Sequence, residues 1–281
     1  MKTFVNSILF IFAILLLIAF ANFDKKENNN YDLSNTNNML FAHRGIAKFP
    51  ENSWQSFNEA HKIGFKSLEC DIQFTKDNKL IIFHDKNAKR LLGINKDIKD
   101  LMWHEIKDKP IKHNNKISKQ FVLSLDELLK KSTDFQYIYL DVKISNKKIA
   151  DSLITAIINH KVINKILIAD ANILFLSYLK FKMPKVKTVL EGFNKGKEWT
   201  YYIIPNYFKP NYFASFYSEI DDNHIKFLND KKLINRKIVY GIDNNNYEKA
   251  LNKGLIHLIL DYESNSPVTF TEKLIENLST D

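Results

Sequence analysis

Eight short apolar runs recur along this chain, and helix-like segments separate most of them. The runs are MLFAH (39–43), SLECDI (67–72), YIYLDVKI (137–144), KILIAD (165–170), KTVLE (187–191), YFASFY (212–217), KIVYGI (237–242) and LIHLILD (255–261). The intervening segments include NSWQSFNEAHKIG, SLDELLKKS, KKIADSLITAIINH, ILFLSYLKFK, NHIKFLNDKKL and NYEKALNKG, whose apolar residues return at helical spacing. Strands that alternate with helices form a parallel sheet, because a parallel return needs a crossover of a dozen residues or more. No Gly-x-Gly-x-x-Gly follows the first run, which disfavours an open dinucleotide-binding sheet. Eight such strands in 281 residues predict one α/β domain, a (β/α)8 TIM barrel. One interval breaks the alternation. Only FTKDNK (74–79) separates ECDIQ from LIIFHD, too short for a crossover, so a hairpin arm is expected after the second strand, rising over one barrel mouth.

Composition sets the class of partner. At 45% hydrophobic and 26% charged residues the chain has enough apolar material for a large core. Its formal charge of +9 could suit nucleic acid, an anionic surface or a phosphorylated substrate. The lysines are scattered, however, with no basic helix or interleaved aromatic stripe, which argues against nucleic acid. The N-terminus begins with Lys2, continues through the apolar run SILFIFAILLLIAFA and carries the small-x-small triplet Ala19-Phe20-Ala21. That order predicts a signal peptide over residues 1–21, or, if uncleaved, a membrane anchor. Either reading makes the domain extracytoplasmic, periplasmic or secreted. Residues 22–38, rich in Asn, read as a flexible spacer, and the folded domain is expected over 39–281. Cys70 is the single cysteine and is expected to be a buried structural thiol without a disulfide.

Four polar clusters fall at or near the C-terminal ends of predicted strands: His43-Arg44-Gly45, Glu69 with Asp71, His84-Asp85 on the arm, and Asp141 with Lys143. Barrel enzymes assemble their active sites at that end. Three carboxylates converging there would repel one another, and a hard divalent cation with oxygen ligands, Mg²⁺ or Ca²⁺, is their natural partner. Two histidines beside such a cation can serve as acid and base near neutrality. Arg44 and Lys143 would supply fixed positive charge for an anionic substrate. Taken singly, each of these features is an ordinary solvated face, turn or surface ion pair; the expectation rests on their conjunction. The remaining histidines (61, 104, 113, 160, 224 and 257) are expected at the surface or in the core.

The sequence AHRG followed by PENS and then ECDIQFTKDNKLIIFHD resembles the glycerophosphodiester phosphodiesterase family. The likeness continues through Arg90, VLSLDELL (122–129) and LDVK (140–143), weakens between about 170 and 235, and returns in KIVYGIDNNNYEKALNKGLIHLILD. The resemblance implies that His43 and His84 are general acid and base, that Glu69, Asp71 and Asp141 ligate one divalent cation, and that Arg44 and Lys143 contact phosphate. It also implies that Glu51 orients the arginine. The implied reaction cleaves a glycerophosphodiester through attack of the substrate's own glycerol hydroxyl, giving an alcohol and a cyclic phosphate that water opens to sn-glycerol 3-phosphate. Three departures stand out: Asp141 where Glu is usual, Tyr240-Gly241 for Trp-Thr, and Asp170-Ala171-Asn172 for a Ser-Phe pair. Asp in the third ligand position is similar to the sphingomyelinase D-like barrels, so a phospholipase D acting on choline lysophospholipids or sphingomyelin is an alternative. A barrel that binds phosphodiesters without turning them over is another.

Overall fold

The computed structural model describes residues 7–16 and 38–263. Residues 7–16 are helical with exposed apolar side chains; the Ala19–Ala21 motif, residues 17–37 of the apolar run and spacer, and residues 264–281 lie outside the described residues. Among the described residues, no helix is long and apolar enough to cross a membrane.

Eleven strands follow one another: β1 (Leu40–His43), β2 (Ser67–Phe74), β3 (Leu80–Ile82), β4 (Pro110–His113), β5 (Lys116–Phe121), β6 (Tyr137–Val142), β7 (Ile166–Asp170), β8 (Lys187–Glu191), β9 (Tyr212–Phe216), β10 (Lys237–Ile242) and β11 (His257–Leu260). Eight of them pair in parallel in the order β1-β2-β6-β7-β8-β9-β10-β11, and β11 pairs back with β1, closing the barrel. All eight predicted strands are present. Helices 54–63, 125–131, 147–160, 173–182, 222–230 and 247–252 fall where the periodic segments lie. Their starts are written locally: Ser53 caps the first, Ser124 with Glu127 forms a capping box on the second, and Asn146 caps the third.

Alternation decides which side chains face the lumen. Phe41, Tyr139, Leu167, Ala169, Val189, Ala214, Ile238 and Ile259 pack together inside the barrel. On β2 the corresponding positions hold Glu69 and Asp71, so this strand aims charge where its neighbours aim hydrocarbon. Its other face carries Leu68, Cys70 and Ile72 into the layer beneath the helices, against Leu128, Leu153 and Ile168. Each such burial contributes about 1.5–3 kcal/mol for a large aliphatic side chain. Cys70 is fully buried there, as expected of a structural thiol.

The arm after β2 exists and is larger than the sequence indicates. β3 runs antiparallel to β2, and Thr75 closes the turn by binding Asp77 Oδ1 and the Lys79 backbone. The chain then builds a small lobe from two four-residue helices (89–92 and 103–106) and the antiparallel β4–β5 hairpin. The lobe has its own core of Ile81, Phe83, Leu91, Ile98, Ile106, Ile111 and Val122. Between β8 and β9 a four-residue helix (200–203) and a short 3₁₀ turn replace a full-length helix.

Candidate active site

The turn after β1 is fixed by close approach. Gly45 has φ +87°, and a Cβ there would fall 2.1 Å from Ser56 Oγ and 2.6 Å from the Ser56 carbonyl carbon, so only glycine fits. Ser56 Oγ in turn accepts from Ile46 N at 2.7 Å and donates to Arg44 O at 3.0 Å, tying the turn to helix 54–63. Arg44 itself takes φ +52°, a conformation that an arginine adopts only when its surroundings hold it there. Its N–H reaches Glu69 Oε2 at 3.0 Å.

Strand register collects the acids. Asp71 lies opposite Asp141 across β2 and β6, and His43 opposite Glu69 across β1 and β2. Glu69, Asp71 and Asp141 offer oxygens that all lie within 4.8 Å of one another. Asp71 is fully buried and has the richest surroundings. Asn52 Nδ2 donates to it at 2.7 Å, Lys143 Nζ lies 2.8 Å from Oδ1, and Arg44 Nε lies 3.1 Å from Oδ2. Lys143 also pairs with Asp141. Burial would raise the Asp71 carboxyl, but Lys143 and Arg44 more than reverse this and hold it below the usual range. At Glu69 burial and then the Asp71 charge outweigh the opposing His43 and Arg44 and push the carboxyl up to about 8. Asp141 is raised by burial, with Lys143 opposing and Asp71 adding to the rise. Burial would lower Lys143, but Asp71 and Asp141 outweigh it and the ammonium is raised. An all-oxygen set under mutual repulsion fits a hard divalent cation, which would relieve it.

Each predicted histidine is pinned by a carboxylate on Nδ1. His43 Nδ1 meets Asp261, and its Nε2 lies 3.8 Å from Glu69 Oε2. His84 Nδ1 lies 2.9 Å from Asp85 Oδ1. A carboxylate on Nδ1 fixes the tautomer with the proton on that nitrogen and leaves Nε2 to exchange protons. Burial would lower His43, yet Glu69 and Asp261 raise it. Asp85 is itself clamped by Arg90, at 2.7 and 2.8 Å, and Arg90 reaches Glu51 at 2.6 and 2.8 Å. Glu51 therefore contacts Arg44 only at 3.4 Å and is chiefly a partner of Arg90. The arm is anchored from below by Gln73, whose Nε2 donates to the carbonyls of His84 and Asp85 at 3.3 and 3.1 Å.

All eight predicted site residues thus meet at one barrel mouth; His43, Arg44, Glu69, His84, Asp141 and Lys143 line a cavity of about 240 Å³, Asp71 is buried among them, and Glu51 lies behind Arg44. Four contributors were not singled out from sequence: Asn52, Gln73, Glu191 and Asp261. The last two had a legible signal, since each is an acid ending a predicted strand. Glu191 accepts from Tyr139 Oη at 2.9 Å and is pushed up to about 8 by burial and then by Asp141. The far wall is aromatic. Gly241, at φ +71° on a strand irregularity of β10, leaves its Cβ space to the Phe216 ring 3.1 Å away, and Phe216 packs edge-on to Tyr240 at 4.3 Å. Asp170 and Asn172 serve the start of helix 173–182: Asp170 Oδ1 accepts from Asn172 N, and Asn172 Oδ1 accepts from Leu174 and Phe175 N.

Known proteins resemble this chain in sequence over part of its length or in fold. A glycerophosphodiester phosphodiesterase from Caldanaerobacter subterraneus is 29% identical over 156 residues, covering 53% of this chain and 64% of that protein. A human protein named lysophospholipase D is 42% identical over 66 residues, 23% of this chain and 21% of that one. The matches to the first three curated relatives span 64% or less of their lengths. Among solved structures, an Oleispira antarctica phosphodiesterase in complex with the product sn-glycerol-3-phosphate superposes with a TM-score of 0.70 at 17% identity, covering 86% of this chain and 97% of that one. A glycerophosphodiester phosphodiesterase from Thermotoga maritima gives 0.63 at 20% identity, covering 85% and 97%. Those structures share the barrel fold. The profile of the glycerophosphoryl diester phosphodiesterase family matches residues 43–261, from the catalytic-end histidine of β1 to the aspartate that pins it, and the chain belongs to that family.

Proposed function

We propose that the chain is a metal-dependent glycerophosphodiester phosphodiesterase that releases sn-glycerol 3-phosphate and an alcohol. What carries the reading is the pair of carboxylate-pinned histidines facing a cluster of three acids, with Arg44 and Lys143 in the same pocket. Glu69, Asp71 and Asp141 would hold one divalent cation, Mg²⁺ or Ca²⁺, which when bound supplies charge neutralisation for the phosphodiester. Arg44 and Lys143 contribute fixed positive charge to the non-bridging oxygens, and they are already oriented by Asp71. One histidine accepts the proton of the attacking glycerol hydroxyl as its oxygen bonds to phosphorus, and the other delivers one to the departing alkoxide as its bond breaks, leaving a cyclic glycerol phosphate. With their protonation exchanged, the two histidines then take a proton from a water that attacks phosphorus and return one to the ring oxygen that leaves, giving sn-glycerol 3-phosphate. Asp261 and Asp85 stabilise the imidazolium that forms in each case. The product named for the Oleispira antarctica structure is the one this chemistry would yield.

The reading is tested with purified protein on glycerophosphocholine and glycerophosphoethanolamine, with Mg²⁺, with Ca²⁺ and with chelator, measuring sn-glycerol 3-phosphate. Turnover abolished by chelator is expected; turnover indifferent to chelator removes the cation from the mechanism. A second reading, phospholipase D action on choline lysophospholipids, draws on the human relative. Lysophosphatidylcholine in the same panel separates the two.

We further propose that residues 1–21 direct export, which N-terminal sequencing of the extracytoplasmic fraction checks. A chain starting near Asn22 is expected, and full-length protein in the membrane would show an anchor instead.

A further inference from the structure

The lobe on the arm carries a feature that the proposed chemistry leaves unused. Two open cavities of about 490 and 880 Å³ flank the central pocket. The first shares His43, Arg44 and Asp261 with it, and the second shares His84. The two outer cavities share Arg90, Lys112 and Asn115 with each other, so together they make one groove that meets the reaction centre at both histidines.

The charge in this groove is unevenly spent. Arg90 is saturated by Glu51 and Asp85, and Lys86 reaches Asp97 at 3.5 Å. Among the described residues no carboxylate pairs with Lys89 or Lys112. The Lys112 ammonium lies against Gly93, the left-handed cap that ends helix 89–92 at φ +73°; a Cβ there would stand 3.1 Å from Nζ. The lysine stem is half-buried on β4, next to Ile111 of the lobe core. A quaternary ammonium would find little here. The acids of the groove already have cationic or histidine partners, and the Phe49 ring already has the Lys48 ammonium 6.0 Å from its centroid.

We infer that this groove receives a second anionic group, a phosphate or phosphodiester, carried by the alcohol that leaves. The inference rests on the phosphodiesterase reading of the central pocket and names the class of substrate that pocket takes. Lys112 and Lys89 are specificity residues in this scheme: they hold the far end of the substrate and take no part in proton transfer or in charge stabilisation at phosphorus.

The test uses the full-length chain and three substrates that share the glycerophosphodiester bond: glycerophosphocholine, glycerophosphoglycerol, and glycerophosphoglycerol bearing a terminal phosphate. At low ionic strength the terminally phosphorylated substrate is expected to have about tenfold higher kcat/KM than glycerophosphocholine, an advantage that shrinks as salt screens it. Lys112→Ala combined with Lys89→Ala should erase that advantage through KM and leave glycerophosphocholine turnover unchanged, while Lys112→Arg should retain most of it. Equal or better turnover of glycerophosphocholine by the unaltered protein overturns the inference. So does a loss shared equally by all three substrates in the double variant. Turnover of none of the three overturns the phosphodiesterase reading itself, and this inference with it.

Discussion

The barrel's two halves do different work at the same mouth. β1, β2, β6 and the arm contribute His43, Arg44, Glu69, Asp71, His84, Asp141 and Lys143. β8 to β11 contribute the wall of Phe216, Tyr240, Gly241 and Ile259, with Glu191 and Asp261 as its two charged members. Charge chemistry needs particular atoms at fixed separations, which strand register supplies, so the first half leaves little freedom in its residues. A wall needs only shape and dryness, which many side chains can give. If this division holds, substitutions in the first half, and at Asp261 where the second half reaches over to pin His43, should remove turnover, and those elsewhere in the second half should alter binding or stability.

Asp71→Asn tests the first half most severely. The carboxylate is fully buried and stands beside Arg44, Lys143 and Asn52, so its neutralisation takes from two cations their most buried partner, leaving Asp141 to Lys143 and Glu51 to Arg44. Breaking such a buried pair costs about 3–5 kcal/mol, and the proposed cation site loses one of its three acids. No detectable turnover is expected, with loss of Mg²⁺ and Ca²⁺ binding by calorimetric titration. Metal binding equal to the unaltered protein would remove Asp71 from the cation site and leave it a purely structural acid.

His84→Ala comes next, with an expected loss of about 10²–10⁴-fold in kcat, typical of a lost general acid or base. Far-ultraviolet circular dichroism and the melting transition should be close to the unaltered protein, because the side chain is partly exposed and its main-chain anchors to Gln73 remain. Activity within tenfold of the original would detach the arm from the chemistry and break the comparison at its centre.

The same division explains what could be read from the sequence. The strands were legible because apolar runs of four to eight residues recur at regular intervals, and the first-half site because its charges sit in or just beyond them. Asn52 and Gln73 were not, because an amide acquires its meaning from a partner reached only through folding: Asn52 serves Asp71 across 19 residues, and Gln73 serves His84 and Asp85 across a turn. The lobe escaped for a different reason. Its helices are a single turn long and its hairpin is mostly exposed, so neither period could accumulate. Glu191 and Asp261 end predicted strands, but neither belongs to a pair like Glu69 with Asp71 or His84-Asp85, and a terminal acid outside such a pair carries little weight by itself. Likeness to known motifs weakened between about 170 and 235, where no predicted site residue lies, and returned over β10 and β11.

Lys237 offers a test of the second half that involves stability alone. Its ammonium is buried under β8 and β9, donating to Phe193 O at 2.5 Å and Ser215 Oγ at 2.7 Å, and burial lowers it to about 7 from the usual 10.5. The folded state therefore holds this proton less tightly than the unfolded chain. The resulting penalty is fully present below about pH 7 and fades as pH rises towards 10.5, so this residue makes stability increase across that window. Lys237→Met removes the dependence. Relative to the unaltered protein, the variant should lose about 3 kcal/mol of its advantage between roughly pH 6 and pH 9.5 in chemical denaturation, with kcat unchanged. A constant difference across pH would mean that the folded lysine keeps its proton throughout the window, as a solvated lysine does.

The smallest effects are expected where wall meets substrate. Gly241→Ala places a methyl group at φ +71° and 3.1 Å from the Phe216 ring. The conformational strain is about 1 kcal/mol, and the ring must tilt off Tyr240 to make room. Neither residue lies among the three acids or pins a histidine, so the reacting groups should stay in register while the cavity changes shape. A rise in KM of about threefold with kcat within about twofold is the signature of lost uniform binding, the behaviour a wall should show. Tyr240→Phe should do less still, because the ring and its contact with Phe216 survive. A fall in kcat of two orders of magnitude in either variant would mean that the aromatic wall sets the geometry of the reacting centre. Shape and charge would then be coupled across the barrel rather than divided between its halves.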